Sequence, residues 1–340
     1  DFYQYFVHSY ALLLKESINE GHISNERIND AVTRILRVKY ELNLFNDPYG
    51  NLDYSKFVGD PEHRKIAREA VKKSMVLLKN DSNVLPINKD HKIYLVGSGA
   101  NNLGMQNGGW TVEWQGRFTP DFLTLDENND TLIQQSEMLK LYKDVYDLKY
   151  DERATVGFFS SLDINKNGKI SRREFLSYED SSPFQPDGTS IYSAIKDRVT
   201  NASLLTYDPR ANDLDGDGVI IAVIGEYPYA EGYGDNEELT ISPFDLAVLN
   251  KCYASNKKLI VIMLSGRPLI ITDHIESWDA VLAAWLPGMA GEGIIDVLYG
   301  DYNPTGKLAY SWPKNISQLP IDITDNNYNP LFKFGFGLNY

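Results

Sequence analysis

Three carboxylates lie among tyrosines and glycines in the stretch from Gly225 to Asn236. A carboxyl group held among aromatic rings can have a raised pKa and act as a general acid, and the flat ring faces give a sugar a surface to stack on. The alternative interpretation is a solvated acidic loop, because acidic loops with glycine are common connections. The candidates are Glu226, Glu231 and Asp235, set among Tyr227, Tyr229 and Tyr233.

A second stretch, GGWTVEWQG from Gly108 to Gly116, places two tryptophans between glycines on a predicted loop. Exposed indole rings are typical platforms for the recognition of sugars or bases, so Trp110 and Trp114 are candidate binding residues. Two core tryptophans beside a tight turn are the alternative, because most tryptophan surface is buried in folded proteins.

Two loops between Phe118 and Ser182 match the twelve-residue calcium loop of the EF-hand, with oxygen ligands at positions one, three, five, seven, nine and twelve. The pattern predicts two paired calcium sites of a structural kind, and two Asn/Asp turns without an ion are the alternative. The upstream ligands would be Asp126, Asn128, Asp130, Leu132, Gln134 and Glu137, and the downstream ligands Asp163, Asn165, Asn167, Lys169, Ser171 and Glu174.

The sixth position of such a loop makes a sharp turn with positive φ, which favours glycine. Gly168 fills it downstream, whereas Thr131 replaces the glycine upstream. A third partial match begins at Asp213 but lacks an acidic residue at position twelve, so we interpret it as a turn.

The acidic stretch follows a β-branched apolar run, Val219 to Ile224, which is typical of a strand buried on both faces. Ligands in open α/β sheets bind beyond the carboxyl ends of strands, where this loop would lie. Helices alternate with strands around it and predict an α/β fold with a mostly parallel sheet sandwiched by helices. Predicted helices cover 61–79, 190–199, 243–254 and 292–299, and predicted strands cover 92–96, 219–224, 259–264, 280–285 and 307–311.

Upstream of this body, apolar stripes predict two helices, one over 3–20 and one beginning after the capping residue Ser24. Two helices alone cannot bury these stripes. Residues 46–60 are rich in Asp, Pro, Gly and Asn, which is typical of a linker.

The composition excludes several classes of partner. The formal net charge of −14 argues against nucleic-acid phosphates. No run approaches the ~20 apolar residues of a membrane span, and Cys252 is the only cysteine, which excludes an internal disulfide framework.

Several long motifs, in order, resemble glycoside hydrolase family 3, the β-glucosidases and exo-β-glucanases, and most closely its plant-type exo-glucanase branch. They cover nearly the whole chain except the insertion between Phe118 and Ser182. The motifs are NDAVTRILRVKY (29–40), AREAVKKSMVLLKN (67–80), GGWTVEWQG (108–116) and the acidic stretch (225–236), followed by segments 264–268, 283–293, 300–308 and 330–338.

The resemblance implies a retaining mechanism with two carboxylates. Glu231, in Pro-Tyr-Ala-Glu, aligns with the family's acid/base residue; Glu226 is the competitor, although a carboxylate at a strand end often only orients a loop. Trp114 aligns with the clamp on the leaving-group sugar, with Trp110 as support. The nucleophile would be an Asp in an N-terminal barrel domain of the same polypeptide.

The domain prediction is therefore terminal helices of a truncated (β/α) barrel (1–45), a linker (46–60), an α/β sandwich (61–118 and 183–340) and an inserted all-α EF-hand pair (119–182). The predicted function is the C-terminal part of a retaining exo-acting β-glucosidase or exo-β-glucanase, inactive alone, in an extracellular or other secretory compartment. Its partners would be a β-glucan or β-glucoside and the barrel domain, with calcium in the loops and no cofactor for catalysis. The alternative is a non-catalytic, calcium-dependent carbohydrate-binding or interaction module.

Overall fold

The computed structural model describes residues 2–146, 151–181 and 188–340, which form two compact units divided between Asp60 and Pro61. The predicted boundary of the insertion at 182–183 lies outside the described residues. None of the described helices is long and apolar enough to cross a membrane.

The helices and strands are numbered in chain order. The helices are α1 (Phe2–Asn19), α2 (Asn25–Glu41), α3 (Pro61–Ser74), α4 (Leu103–Asn107), α5 (Phe122–Leu125), α6 (Gln135–Tyr146), α7 (Glu152–Leu162), α8 (Arg172–Ser181), α9 (Ile191–Arg198), α10 (Pro243–Ala254) and α11 (Glu292–Leu298). The strands are β1 (Val76–Asn80), β2 (Ile93–Val96), β3 (Leu132–Gln134), β4 (Lys169–Ser171), β5 (Leu205–Tyr207), β6 (Val219–Gly225), β7 (Lys258–Leu264) and β8 (Ala280–Trp285).

The first unit contains α1 and α2, as predicted. The Ser24 hydroxyl caps α2 by accepting the N–H of Arg27 at 3.2 Å. The apolar stripe of α2 is exposed at Val32, Ile35 and Leu36. Apolar side chains exposed along one face of a helix are typical of a surface that an apolar partner covers.

The second unit is built on a six-stranded sheet in the order β1-β8-β7-β6-β2-β5. Every residue of β6 is buried, and β6 pairs in parallel with β2 and β7, with Ile221 opposite Leu95 and Ile260. A continuous β-branched run suits this position because both faces of the strand are covered. Helices α3, α9 and α10 pack against the sheet and α11 packs on α3 and α9, so the predicted α/β fold with a mostly parallel sheet is confirmed.

Two predicted elements are wrong. The helix predicted over 61–79 ends at Ser74, because the following residues pair as β1 antiparallel to β8, with Leu77 opposite Leu282. Residues 307–311 form no strand; the N–H of Leu308 donates to the carbonyl of Phe336 at 2.8 Å, so the C-terminal segment satisfies this backbone instead of the sheet. The short edge strand β5 was not predicted.

The insertion was predicted to be all α-helical, and this is wrong, because it also contains two short strands. Its helices, α5 to α8, are joined by an antiparallel ladder in which β3 pairs with β4 and Ile133 lies opposite Ile170. Both isoleucines are fully buried. The apolar eighth positions of the two loops therefore form the ladder, and around it lie buried side chains of Phe122, Leu125, Met138, Phe159, Leu162 and Phe175.

Candidate active site

The acidic loop leaves the sheet where β6 ends, at its carboxyl edge. Any side chain at Gly225 would collide with the Leu264 carbonyl of the neighbouring strand, and the N–H of Glu226 donates to that same carbonyl at 2.9 Å. Glycine at this point lets the two chains stay close while the loop turns away. The loop then closes in a 3-10 turn over Glu231–Gly234.

Glu231 opens this turn, and its side chain is exposed. Its φ is +53°, a conformation that is uncommon for residues other than glycine and that collects at functional sites. Within residues 2–146, 151–181 and 188–340, no hydrogen bond or ion pair to its carboxylate is found. The carboxylate is therefore accessible to a ligand that approaches the loop.

Glu226 is the opposite case, because its side chain is only 10% exposed and is fully engaged. Arg267 donates to Oε1 through Nη2 at 2.7 Å and Nε at 3.0 Å. Ser265 and Tyr229 donate their hydroxyls to Oε2 at 2.8 and 3.0 Å. These four donated hydrogen bonds occupy both carboxylate oxygens and leave little room for a substrate oxygen.

Burial and the neighbouring Glu226 carboxylate raise the pKa of Tyr229 well above its ordinary value. The Tyr229 hydroxyl therefore stays protonated and remains a donor to Glu226 at any ordinary pH. The partners Ser265 and Arg267 were missed from the sequence. They follow the end of β7 directly, so the rule that ligands and polar groups gather beyond strand ends could have indicated them.

The tryptophan loop packs on the acidic loop. A side chain at Gly109 would collide with the Tyr229 carbonyl, and the Gln115 side-chain oxygen accepts the N–H of Ala230 at 2.9 Å. Trp110 is 70% and Trp114 46% exposed, so neither lies in the core.

The two indole rings lie 6.1 Å apart between centroids, and the Trp114 ring lies 5.9 Å from the ring of Tyr233. Tyr233 belongs to the same turn as Glu231. The sequence-predicted residues Trp110, Trp114 and Glu231 are thus brought to one face of the second unit, beyond the carboxyl ends of the strands.

Residues 75–340 match the sequence profile of the glycosyl hydrolase family 3 C-terminal domain. The chain belongs to glycosyl hydrolase family 3. It is 28% identical to a lysosomal beta glucosidase of Dictyostelium discoideum over 98% of this chain and 36% of that protein. It is 28% identical to a periplasmic beta-glucosidase of Salmonella typhimurium over 97% of this chain and 42% of that protein.

A crystal structure of an exo-1,3/1,4-beta-glucanase from a Pseudoalteromonas species superposes with a TM-score of 0.69 at 33% identity, covering 95% of this chain and 34% of that one. A beta-glucosidase from Listeria innocua shares the fold, with a TM-score of 0.65 at 22% identity, 96% of this chain and 41% of that one. The chain therefore spans about two fifths or less of the length of each of these four proteins.

The insertion of this family 3 chain closes its downstream loop around two carboxylates. Asp163 accepts the backbone N–H groups of Asn167 and Gly168 at 3.0 and 2.8 Å. Glu174 accepts those of Asn165 at 3.2 Å and Ser171 at 2.9 Å. The hydrogen bonds from the backbone and hydroxyl of Ser171 hold the pKa of Glu174 below its ordinary value.

The upstream loop repeats this arrangement. Asp126 accepts the N–H groups of Asp130 and Thr131, and Glu137 accepts those of Asn128 and Gln134. Thr131 has φ +72°, close to the +80° of Gly168, so the sixth position keeps the sharp turn despite its β-branched side chain.

Both loops present only oxygen donors, the ligand type that calcium takes. Across the described residues, no three His, Cys, Asp or Glu side chains converge into a cluster able to hold a metal ion. The four acidic side chains at positions one and twelve are buried and turned to backbone N–H groups, as the distances above show. The residue types at the six positions offer carboxylate, amide, hydroxyl and backbone carbonyl oxygens, which are of the kind that calcium accepts.

Proposed function

We propose that the full-length protein is a retaining, exo-acting β-glucosidase or exo-β-glucanase that removes terminal β-D-glucosyl residues. This chain is its C-terminal part and supplies Glu231 as the acid/base. One observation supports this assignment above the others: the exposed, strained Glu231 lies on a turn whose Tyr233 packs against Trp114.

In a retaining hydrolase, one carboxylate attacks the anomeric carbon while a carboxylic acid about 5 Å away protonates the departing oxygen. Glu231 would give its proton to that oxygen as the bond breaks. It would then take a proton from the water that releases the covalent glycosyl intermediate. The nucleophile would come from an N-terminal barrel domain of the same polypeptide, and no cofactor is required.

Glu226 fits the acid role less well than Glu231. Both of its carboxylate oxygens already accept hydrogen bonds, from Arg267 on one side and from Ser265 and Tyr229 on the other, whereas a general acid must face the departing oxygen. Its side chain is also only 10% exposed, whereas that of Glu231 is open to a ligand.

The test is to identify, by proton NMR, which anomer of glucose the full-length protein releases first from an aryl β-glucoside. The spectra are recorded before the product mutarotates. Retention requires that β-glucose accumulate first. Release of α-glucose would contradict the proposed mechanism, and no release would favour a non-catalytic carbohydrate-binding module.

Trp114→Ala in the full-length protein is expected to lower kcat/KM on longer oligosaccharides roughly 30-fold. This corresponds to ~2 kcal/mol of lost transition-state binding, since an exposed indole supplies a large stacking face. On aryl glucosides the loss in kcat/KM should be much smaller. Tyr310→Ala removes another exposed ring, remote from the loop in sequence, and serves as the control. A strongly lowered melting temperature with unchanged oligosaccharide kinetics would instead make Trp114 a packing residue.

We also propose that the two loops of the insertion bind calcium as structural sites. The ladder between β3 and β4 couples the loops, and the acidic residues at positions one and twelve are buried and accept backbone N–H groups of their own loops. The ligands would be those predicted at the six positions of each loop.

An ion that binds only the native state raises stability by mass action, about 2.7 kcal/mol at a hundred times Kd. Calcium should therefore raise the melting temperature by several degrees and EDTA should reverse this. Glu174→Gln should weaken calcium uptake in titration calorimetry far more than Lys169→Gln, because position seven contributes only its backbone carbonyl. No uptake, together with no response to EDTA, would refute calcium binding.

A further inference from the structure

We propose that Glu226 is a positioning residue for Glu231 and acts through the ring of Tyr229. This inference rests on the proposed function, because it assigns Glu226 a part in the same acid/base step. The two carboxylates are not equivalent candidates for one role; the buried one holds the exposed one in place.

The first step is how Glu226 fixes Tyr229. The Tyr229 hydroxyl donates to Oε2 of Glu226, and the Arg267 guanidinium, which binds Oε1, lies over the Tyr229 ring at 4.7 Å from its centroid. Ser265 completes the set by donating to Oε2. Both the edge and the face of the ring are therefore held by groups that meet at the Glu226 carboxylate.

The second step is how Tyr229 fixes the turn. A side chain at Gly234, the last residue of the Glu231 turn, would collide with the edge of the Tyr229 ring. A Cβ at Gly266 would lie 2.8 Å from the Tyr229 hydroxyl. The ring is thus packed directly between the end of β7 and the closing residue of the turn, and a shift of the ring must shift the turn.

The third step is why the turn needs support. Glu231 has a positive φ, and such conformations persist only where surrounding structure holds them. On the other side the turn is tied by the Ala230 N–H to Gln115. Loss of the Glu226 charge would leave the Arg267 guanidinium without its carboxylate and release the ring, and a misplacement of ~1 Å at a reacting group can cost about 100-fold in rate.

The experiment compares Glu226→Gln with wild type in the full-length protein, on aryl β-glucosides whose leaving groups range from dinitrophenol to phenol. We expect kcat/KM on phenyl glucoside to fall roughly 10- to 100-fold and that on dinitrophenyl glucoside to stay within about 3-fold, since only poor leaving groups need the proton. Tyr229→Phe, which keeps the ring and removes the hydroxyl, should show a smaller loss with the same dependence on the leaving group.

The matched control is Asp279→Asn. Asp279 is also a partly buried carboxylate paired with a lysine, Lys258, but it lies at the opposite end of β7. Any loss in kcat/KM from Asp279→Asn should be the same for all leaving groups.

Losses from Glu226→Gln that are uniform across leaving groups would overturn the positioning role. If that variant does not fold, as judged by its melting curve, Tyr229→Phe decides: a loss confined to poor leaving groups supports the role and an unchanged profile rejects it. Glu231→Gln is measured alongside. If the losses from Glu231→Gln also do not depend on the leaving group, the proposed function itself fails. If they do depend on it while those from Glu226→Gln do not, only this inference is rejected.

Discussion

Glu231→Gln in the full-length protein is expected to lower kcat/KM on glucosides with poor leaving groups by roughly 10²- to 10⁴-fold, the usual contribution of a general acid. On dinitrophenyl glucoside the loss in kcat/KM should be small, because that leaving group departs as an anion without a proton. The glutamine keeps the size and the turn geometry of the glutamate, so the loss reports the missing proton.

Glu237→Gln is the matched control for this variant, since Glu237 is an exposed carboxylate that directly follows the acidic stretch in the chain. It should behave as wild type on every substrate. Equal losses on both classes of leaving group in Glu231→Gln, or no loss at all, would move the role to Glu226 or remove it from this loop.

Residues 1–340 alone are expected not to hydrolyse glycosides at a useful rate. Retention needs two carboxylates on opposite sides of the anomeric carbon, and the proposal puts the nucleophile in the barrel domain. General acid catalysis alone would accelerate the reaction roughly 10²- to 10⁴-fold. This is far short of the acceleration of about 10⁶-fold or more that is expected of an enzyme. The exposed apolar stripe of α2 should also make this piece prone to association.

The measurement compares residues 1–340 with the protein extended upstream through the barrel, on an aryl β-glucoside and on laminari- and cello-oligosaccharides. Comparable activity of both would mean that the two carboxylates lie within this chain. The second would then be sought among Glu226, Asp235 and Glu113, of which Glu226 is bound to Arg267 and Glu113 lies 3.4 Å from Arg117.

Much of the sheet could be predicted because local sequence and tertiary environment agree. The β-branched run of β6 is buried along its whole length, and α10 begins at Ser242-Pro243, where the Ser242 hydroxyl accepts the N–H of Asp245 at 3.2 Å. The loop that carries Glu231 could be placed because it follows such a strand.

Other features depend on partners that are distant in the sequence. The run after Ser74 has the apolar spacing of a helix, with Met75 and Leu78 on one face. It forms a strand because it pairs with β8, and the pairing buries Val76 and Leu77 as well. The contact between Glu226 and Arg267 joins residues 41 positions apart, so no local pattern announces it. The exposure of Trp114 likewise follows from how two loops pack.

Glu231→Ala in the full-length protein, given dinitrophenyl β-glucoside and sodium azide, tests the acid/base assignment most directly. A covalent intermediate should still form, and azide, which needs no base, should release it by attack on the β face. We predict that azide restores turnover and that NMR identifies the product as β-glucosyl azide. A product of α-glucosyl azide would make Glu231 the nucleophile, and an absence of any azide adduct would remove it from the chemistry; either result would contradict the role assigned to Glu231.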